Sequence, residues 1–161
     1  MAVEHLFRGG ALNAVDAKGR LSVPAFIRQK IERRSDERLI VLARHAEIPC
    51  LIGYDSNYSA ILWEESERRR EKEADEGAEL LVAFDRDSGL FGSAIEVPYD
   101  PSGRILLPGR LKKRARIDDL ALFVGMGGSF AVWNPQVALE SGPRQVRELA
   151  EDLLEERGQS S

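Results

Sequence analysis

The sequence predicts an α+β fold made of two related ββαββ repeats that share one hydrophobic core. A motif is repeated: DAKGRLSVP at residues 16–24 returns as DPSGRILLP at residues 100–108, with Asp, Gly, Arg and Pro at matching places. Each copy is followed by a segment with helical spacing of apolar residues and then by two short apolar strands. The chain has 161 residues, 43% of them apolar, which suits one compact domain. Because tandem units of this kind often fail to bury their apolar faces alone, we expect the repeats to fuse with pseudo-twofold symmetry.

The first motif copy predicts a β-hairpin with a tight turn at residues 17–19. Asp16 and Gly19 suit this turn, because an aspartate bonds to nearby backbone amides and a glycine tolerates positive φ. Side chains alternate along the second strand, so its aliphatic residues point inward and Arg20 and Ser22 point outward. The matching residues of the second copy are Asp100, Gly103, Arg104 and Leu106.

The remaining elements follow the same order in both repeats. Pro24 and Pro108 suit the first turns of two helices, PAFIRQKIERR and PGRLKKRARI. The strands after these helices are predicted, in chain order, as RLIVLAR, PCLIGYD, DLALFVG and SFAVWN. Within a single domain of residues 1–161, the predicted boundaries are repeat 1 at 6–63, a charged helical connection at 64–84, repeat 2 at 91–139 and a C-terminal helix at 143–157.

The C-terminal helix is predicted to be buried on one face. Its apolar residues have the spacing of a helical stripe, which comprises Val146, Leu149, Ala150, Leu153 and Leu154. The stripe packs either on its own domain or on a neighbouring subunit. A contact of the second kind is heterologous and forms a ring if the rotation closes.

Positive charge is concentrated at the two motifs, although the whole chain has a net charge of -4. Residues 18–38 carry a net charge of +4, and residues 104–116 carry +6 with no acidic residue. Each basic window begins at its motif. A chain of negative net charge still binds phosphate if its positive charges converge on one face, while the alternative is two solvated helix faces.

The arginine of each motif is the leading candidate for contact with a duplex. A guanidinium offers a planar donor fork that fits a phosphate or the O6 and N7 edge of guanine. The cations of the two predicted helices would contact the DNA backbone. They are Arg28, Lys30, Arg110, Lys112, Lys113 and Arg114. The alternative is that Asp16 pairs with Arg20 only to hold the turn and that the helix cations are merely solvated. The candidate DNA-binding residues are Arg20, Arg104, Lys18, Arg28, Arg110, Lys112 and Lys113, with Asp16, Gly19, Asp100 and Gly103 as motif and orienting residues.

The composition and motifs argue against a membrane protein, a secreted protein, a metalloprotein and an enzyme. No segment approaches the roughly 20 apolar residues of a membrane span, and MAVEHLFRGG is not typical of a signal peptide, so we expect a cytoplasmic protein with no membrane partner. Cys50 is the only cysteine and His5 and His45 the only histidines, so metal ligands are scarce. No nucleophile with His and Asp partners is evident, and VGMGGSF indicates a hairpin turn rather than a phosphate loop. We therefore predict no enzyme, no catalytic residue, no metal and no cofactor.

Four strings together carry a family resemblance. LFRG near the N-terminus, the two motif copies and FAVWN resemble the MraZ family of cytoplasmic bacterial transcriptional regulators, over most of residues 6–139. The resemblance implies two repeats of the AbrB-like swapped-hairpin β-barrel. It also implies that the arginines of the two Asp-x-x-x-Arg motifs, here Arg20 and Arg104, face DNA. Two features depart from the family pattern: the connection DRDSGLFGSAIEV before the second motif, and Ser22 where the second copy has Leu106.

The resulting hypothesis is a sequence-specific DNA-binding regulator. The resemblance implies repeated promoter boxes of the division and cell-wall gene cluster, association with the nucleoid and assembly into rings of many subunits. The expected partners are therefore double-stranded DNA and further copies of the chain, with later boxes bound at high effective concentration. The alternative is an oligomeric protein-interaction scaffold that keeps the fold and recognises a polypeptide instead.

Overall fold

The computed structural model describes residues 3–77 and 80–159, and in these residues it has eight strands and six α-helices in a mixed α+β arrangement. In chain order the elements are β1 (Gly10–Ala14), β2 (Arg20–Ser22), α1 (Ala25–Arg34), β3 (Leu39–Arg44), β4 (Leu51–Tyr54), α2 (Tyr58–Asp75), α3 (Leu80–Asp87), β5 (Ile95–Pro98), β6 (Arg104–Leu106), α4 (Gly109–Arg114), β7 (Leu120–Gly125), β8 (Phe130–Trp133), α5 (Pro135–Ser141) and α6 (Arg144–Gln159). A 3-10 turn at Val3–His5 precedes β1, and a π-helical segment at Ser88–Gly92 follows α3. The predicted order of β, β, α, β, β occurs in each repeat, as β1 to β4 and as β5 to β8, and each motif begins just after the first strand of its repeat.

The helical regions differ from the prediction in two places. The predicted connection at 64–84 contains the end of α2 and the start of α3, and its residues 78 and 79 lie outside the described residues. An unpredicted helix, α5, begins directly after β8. Asn134 accepts a hydrogen bond from the backbone N–H of Gln136 and Pro135 occupies the first turn, so a standard helix start follows the strand.

The strands of the two repeats are interleaved in one antiparallel sheet. Its order is β1-β7-β8-β4-β3-β5, and β2 pairs only with β6 in a separate two-stranded ribbon. The first strand of each repeat therefore pairs with the third strand of the other, as β1 with β7 and β5 with β3. The fourth strands, β4 and β8, also pair with each other. This pattern is unchanged when the two repeats are interchanged.

The predicted β-barrel is not present as a closed ladder. The strands β1 and β5 form the two edges of the six-stranded sheet, and the β2–β6 ribbon is not part of it. The reason is local: β2 and β6 have three residues each, and Pro24 and Pro108 end the extended segments that follow them. An isolated bridge between Val15 and Leu21 joins the residue after β1 to the middle of β2.

Apolar residues are buried on both faces of the sheet. One cluster joins the ribbon to α1 and α4 and includes Leu21, Ile105, Ile27 and Leu111. The other cluster lies between the sheet and the two C-terminal helices, and Trp133 is buried in it. Both faces being covered explains why β3 and β7 are continuous apolar runs rather than alternating ones.

The stripe of α6 packs on its own domain, which is one of the two predicted alternatives. Val146, Leu149, Ala150 and Leu153 join the cluster under the sheet. Gly10 in β1 permits this close approach, since a Cβ atom there would lie 2.7 Å from a methyl carbon of Leu149. The apolar stripe is thus largely accounted for within one copy of the chain.

A buried ion pair connects the end of α1 to the end of β4. Arg34 Nη2 lies 2.7 Å from an Asp55 carboxylate oxygen, and the two side chains are 4% and 1% exposed. The same nitrogen donates to the Gly128 carbonyl at 2.8 Å, and the guanidinium carbon lies 4.5 Å from the centre of the Phe7 ring and 5.3 Å from that of Tyr58. Burial lowers the pKa of Arg34, and Asp55 opposes that shift. This cluster ties five separate segments together.

Gly53 in β4 gives a test of the packing at the sheet centre. A Cβ atom there would lie 2.3 Å from the ring of Phe130, which is buried against Phe7 and Phe123. We expect Gly53→Ala to lower the free energy of unfolding by about 1–3 kcal/mol, because the ring must leave its packed position. Chemical denaturation monitored by circular dichroism measures this loss. Gly109→Ala is the matched control, since a Cβ atom there meets nothing within 4 Å, and equal losses in both variants would contradict the packing argument.

Candidate nucleic-acid interface

The β2–β6 ribbon presents both motif arginines on one exposed face. Its register pairs Arg20 with Leu106, Leu21 with Ile105, and Ser22 with Arg104. Leu21 and Ile105 are buried beneath the ribbon, at 1% and 3% exposure. The Arg20 and Arg104 side chains are 52% and 50% exposed and occupy diagonal positions, about 7–8 Å apart at the backbone of such a pair. The two predicted candidates therefore lie together on the surface.

The turn before each arginine has the same geometry in both repeats. The backbone N–H of Gly19 donates to the Asp16 carbonyl at 2.9 Å, and that of Gly103 to the Asp100 carbonyl at 2.8 Å. The two glycines have φ of 84° and 81°, a conformation that a Cβ atom would strain. The turns therefore require the glycines that the motif supplies.

Each motif aspartate binds the turn and orients the arginine. Asp16 Oδ1 accepts the backbone N–H groups of Lys18 and Arg20, both at 2.9 Å, and Asp16 Oδ2 accepts Nε of Arg20 at 2.6 Å. In the second copy Asp100 accepts the backbone N–H of Arg104 at 2.9 Å and its Nε at 3.1 Å. Of the guanidinium nitrogens, only Nε bonds to the aspartate in either described motif, so the terminal nitrogens of each arginine remain available to a ligand. Pairing with the aspartate therefore does not prevent the arginine from contacting a ligand, so the two alternatives that the sequence left open are compatible.

The hydrogen bonds to the aspartates lower their pKa values. The backbone N–H of Arg20, followed by its guanidinium, holds the pKa of Asp16 below its ordinary value of 3.8. The backbone N–H of Arg104, together with its side chain, has the same effect on the pKa of Asp100. Both carboxylates are therefore charged at neutral pH, as the pairing requires.

The two turns are tied to each other across the ribbon. The Gly19 carbonyl accepts the backbone N–H of Leu107 at 2.9 Å, and the Gly103 carbonyl accepts that of Val23 at 2.8 Å. Asn13 of β1 also donates to the Ser22 carbonyl at 2.7 Å. Each tip is therefore held by the strand of the other repeat.

Two predicted backbone-contacting cations already have partners in the fold. Arg28 is half-buried and donates from Nη1 to the Ser102 carbonyl at 3.0 Å, beside the second turn. A Cβ atom on Gly103 would lie 1.7 Å from that nitrogen, so the guanidinium fills the space behind the second tip. Lys30 donates to the Glu4 carbonyl. These contacts give Arg28 and Lys30 structural roles, whereas the sequence suggested that both residues contact DNA phosphates.

The other predicted cations are divided between two places. Lys18 is exposed at the first turn, close to the ribbon face. On α4, Lys112 is half-buried, while Arg110, Lys113 and Arg114 are exposed. Arg110 and Arg114 line a cleft of about 480 Å³ beside the π-helical segment, and no exposed ribbon residue lines it. Arg110 and Arg114 therefore border a cleft that the ribbon does not line.

Sequence reasoning missed an exposed apolar helix. Four residues of α3 are exposed: Leu80 at 84%, Leu81 at 75%, Val82 at 56% and Phe84 at 70%. A run of apolar residues in the predicted connection, LLVAF, was the available signal, but its length did not distinguish a buried segment from an exposed one. Such a patch on a surface is typical of a contact with another macromolecule.

The groups usually associated with catalysis or metals have ordinary structural environments. Burial raises the pKa of the Cys50 thiol to about 12, so the thiolate is absent at neutral pH. His45 Nδ1 accepts the backbone N–H groups of Glu47 and Ile48, each at 3.0 Å, and burial lowers the pKa of the ring. Across residues 3–77 and 80–159, no group of three or more His, Cys, Asp or Glu side chains is arranged to hold a metal ion. Among the same residues, no helix combines the length and apolar character needed to cross a bilayer.

Comparison with known proteins gives a consistent assignment. A family model described as "MraZ protein, putative antitoxin-like" matches residues 90–137, from just before β5 into α5. The transcriptional regulator MraZ of Rhodospirillum rubrum is 34% identical over 146 residues, which cover 91% of this chain and 90% of the relative. The chain therefore belongs to the MraZ family. MraZ proteins of Gluconacetobacter diazotrophicus and Azotobacter vinelandii are 32% and 36% identical, over 83% and 80% of this chain and 81% and 80% of the relatives.

Membership of the MraZ family agrees with the resemblance that the motifs carry. The three relatives bear the name of a transcriptional regulator and not of an enzyme, in line with the prediction that the chain is not an enzyme. The alignment with the Rhodospirillum rubrum relative extends over nearly the whole chain, whereas the family model matches only the second repeat region.

The lowered pKa values of the two motif aspartates lead to a pH-dependence that NMR measures. We expect the side-chain carboxyl carbons of Asp16 and Asp100 to titrate below 3.8, with the amides of Arg20 and Arg104 shifting over the same range. A folded-state pKa below the unfolded value gives stability that is present above the unfolded value and lost as the pH falls through the folded one. The turns therefore loosen only in strong acid. Asp16→Asn is the control and removes the transition at Arg20 alone; titration of either carboxyl at or above 3.8 would count against the hydrogen-bonded turn.

Proposed function

We propose that this MraZ-family chain binds double-stranded DNA in a sequence-specific manner and regulates transcription. The observation that carries the proposal is the pair of arginines, each oriented by an identical turn, on one exposed face of the β2–β6 ribbon. The relatives' names support regulation of transcription. The ribbon arginines Arg20 and Arg104 are the proposed readers, and Lys18 is a proposed phosphate contact beside them.

The dimensions of the ribbon suit a duplex. The major groove of B-DNA admits a two-stranded β-ribbon, and an arginine bound through Nε keeps its two terminal nitrogens for the O6 and N7 atoms of guanine. Arg28 would act indirectly by holding the second tip, through its bond to the Ser102 carbonyl. Arg110, Lys112 and Lys113 of α4 are proposed as contacts to the DNA backbone that flanks the groove. Such contacts position the protein without selecting a sequence.

The fold proposal is a swapped-hairpin arrangement of the AbrB-like kind. The exchange of β1 and β5 between the repeats, and the pairing of β2 with β6, support this assignment. In this arrangement the β2–β6 ribbon is formed where the hairpins of the two repeats pair with each other. The repeat boundaries proposed from the sequence, 6–63 and 91–139, enclose the exchanging strands.

The proposed setting is a ring of subunits on repeated promoter boxes of the division and cell-wall gene cluster, in the cytoplasm and at the nucleoid. Several ribbons on one assembly would engage several boxes, so weak single contacts add to a stable complex. The exposed apolar face of α3, with Leu80, Leu81, Val82 and Phe84, is the proposed contact between copies. An α3-based ring is also consistent with α6 packing on its own domain.

An oligomeric protein-interaction scaffold is the second candidate, because the α3 face is apolar and exposed. Ionic strength separates the two candidates. If several phosphates are contacted, the logarithm of the DNA affinity falls linearly with the logarithm of salt concentration, while an apolar protein contact responds far less. The two motif arginines and the α3 face therefore provide independent tests.

Substitution of the motif arginines tests DNA binding. We expect Arg20→Ala and Arg104→Ala each to weaken binding to a selected duplex by about ten- to a hundredfold, because a bidentate contact to guanine is lost. Titration of labelled DNA at graded salt, followed by fluorescence anisotropy, measures the change. Arg144→Ala on α6 is the matched control and leaves affinity unchanged; wild-type affinity in the Arg20, Arg104 double variant would exclude this site.

Substitution on α3 tests self-association. We expect the double variant Leu81→Ser, Phe84→Ser to have a lower mass in solution than the wild type, because two large exposed apolar side chains are lost from the contact. Light scattering coupled to gel filtration measures the mass. Leu106→Ser, an equivalent change on the ribbon, serves as the control and keeps the wild-type mass. A wild-type protein that is monomeric at all concentrations would exclude the ring.

A further inference from the structure

The exposed face of the ribbon has one asymmetric pair of positions. Four side chains share it: the two arginines occupy one diagonal, and Ser22 and Leu106 occupy the other. Arg20 lies opposite Leu106, whereas Arg104 lies opposite Ser22. Leu106 is 62% exposed, although its neighbours on the face are polar or charged. The two halves of the ribbon therefore carry equivalent arginines next to different chemistry.

The two turns also differ in what stands behind them. A Cβ atom on Gly19 would lie 3.5 Å from the Leu107 carbonyl oxygen and 3.7 Å from Leu106 Cδ1, the nearest side-chain atom, so the leucine side chain reaches the first tip. At the matching place on Gly103 the nearest group is the Arg28 guanidinium, bound to the Ser102 carbonyl. An apolar surface thus accompanies the first tip and a charged group the second.

We propose that Leu106 makes the ribbon read an asymmetric DNA site, by contacting the 5-methyl group of a thymine next to the base that Arg20 contacts. This inference rests on the proposed function, because it applies only if the ribbon enters a major groove. The arginines give each half a preference for guanine, and Leu106 gives one half an additional preference for thymine. Only the half-site that Arg20 contacts would therefore need a thymine beside its guanine.

The chemistry of the major groove supports this assignment. Thymine is the base that presents a methyl group there, and an apolar side chain is the group that recognises it. Directly opposite residues of an antiparallel pair have Cβ atoms about 4.5–5.5 Å apart, so Leu106 would reach a base pair adjacent to that of Arg20. A serine hydroxyl both donates and accepts, so Ser22 would bond to any of several base edges and would not require the methyl group.

The experiment removes single methyl groups from the DNA. The probe is a duplex selected by the full-length wild-type protein from a random-sequence library, with each thymine replaced in turn by deoxyuridine. We expect one replacement to weaken wild-type binding by about three- to fivefold, the effect of burying one methyl group. Leu106→Ser removes this difference between thymine and deoxyuridine, and Ser22→Ala, the matched control, keeps it. Leu106→Ala provides a second variant that retains an unbranched apolar group and is compatible with a strand surface.

The outcomes separate this inference from the proposed function. If the wild type selects no sequence, or if binding does not fall with salt, DNA recognition itself fails. If the wild type binds with a steep salt dependence and Arg20→Ala weakens binding, but no thymine is sensitive to loss of its methyl group, the role of Leu106 is overturned. The same conclusion follows if both Leu106 variants retain the full thymine preference. Loss of that preference in Leu106→Ser, with salt dependence unchanged, supports it.

Discussion

Neither repeat of this chain completes its sheet alone, and this mutual dependence underlies the rest of the structure. The first strand of each repeat lies beside the third strand of the other, so the N–H and C=O groups of β1 and β5 find their partners only across the repeat boundary. Backbone groups left unpaired in a buried sheet are costly. The exchange therefore holds both repeats in one body, and the β2–β6 ribbon lies where their hairpins meet. Every feature of the candidate site depends on that meeting.

Symmetry is retained at the ribbon and relaxed away from it. The turns, their glycines and their aspartate bonds agree closely between the copies. The Arg34–Asp55 pair belongs only to the first repeat and connects it to α2 and to the loop at Gly128. Removing one partner of a buried pair leaves an uncompensated charge, at a cost of about 3–5 kcal/mol. The chain thus combines a duplicated recognition element with an ion pair that occurs only in the first repeat and connects α1 to the end of β4, to α2 and to the loop at Gly128.

The sequence was most informative for the turns and for the buried strands, where local chemistry decides the structure. The two turns followed from Asp16, Gly19 and their counterparts, and the strands β3, β4, β7 and β8 fall within the predicted apolar runs. The start of α5 was missed although Asn134 and Pro135 form a recognisable cap, because the strand prediction ran directly into it. These are short-range signals.

Long-range partners were not predictable from local patterns. The sequence suggested a phosphate contact for Arg28, but its partner, the Ser102 carbonyl, is brought near by the pairing of β2 with β6. The prediction of a closed barrel was wrong for a different, local reason: a resemblance conveys a family architecture, whereas the β2–β6 ladder is short and is followed by prolines. The exposure of α3 likewise depends on which neighbours the fold supplies.

The reciprocal bonds from Leu107 to Gly19 and from Val23 to Gly103 have a consequence for the affinity of any ligand. They fix the spacing and direction of the two tips in the free protein, so their backbone has little conformational entropy left to lose when a ligand arrives. Only the outer parts of two arginine side chains need to become ordered. A rigid pair of this kind selects ligands by the distance between their binding groups. A ligand whose groups match the fixed separation of the two arginines binds with higher affinity, and the protein does not adjust to one whose groups do not match.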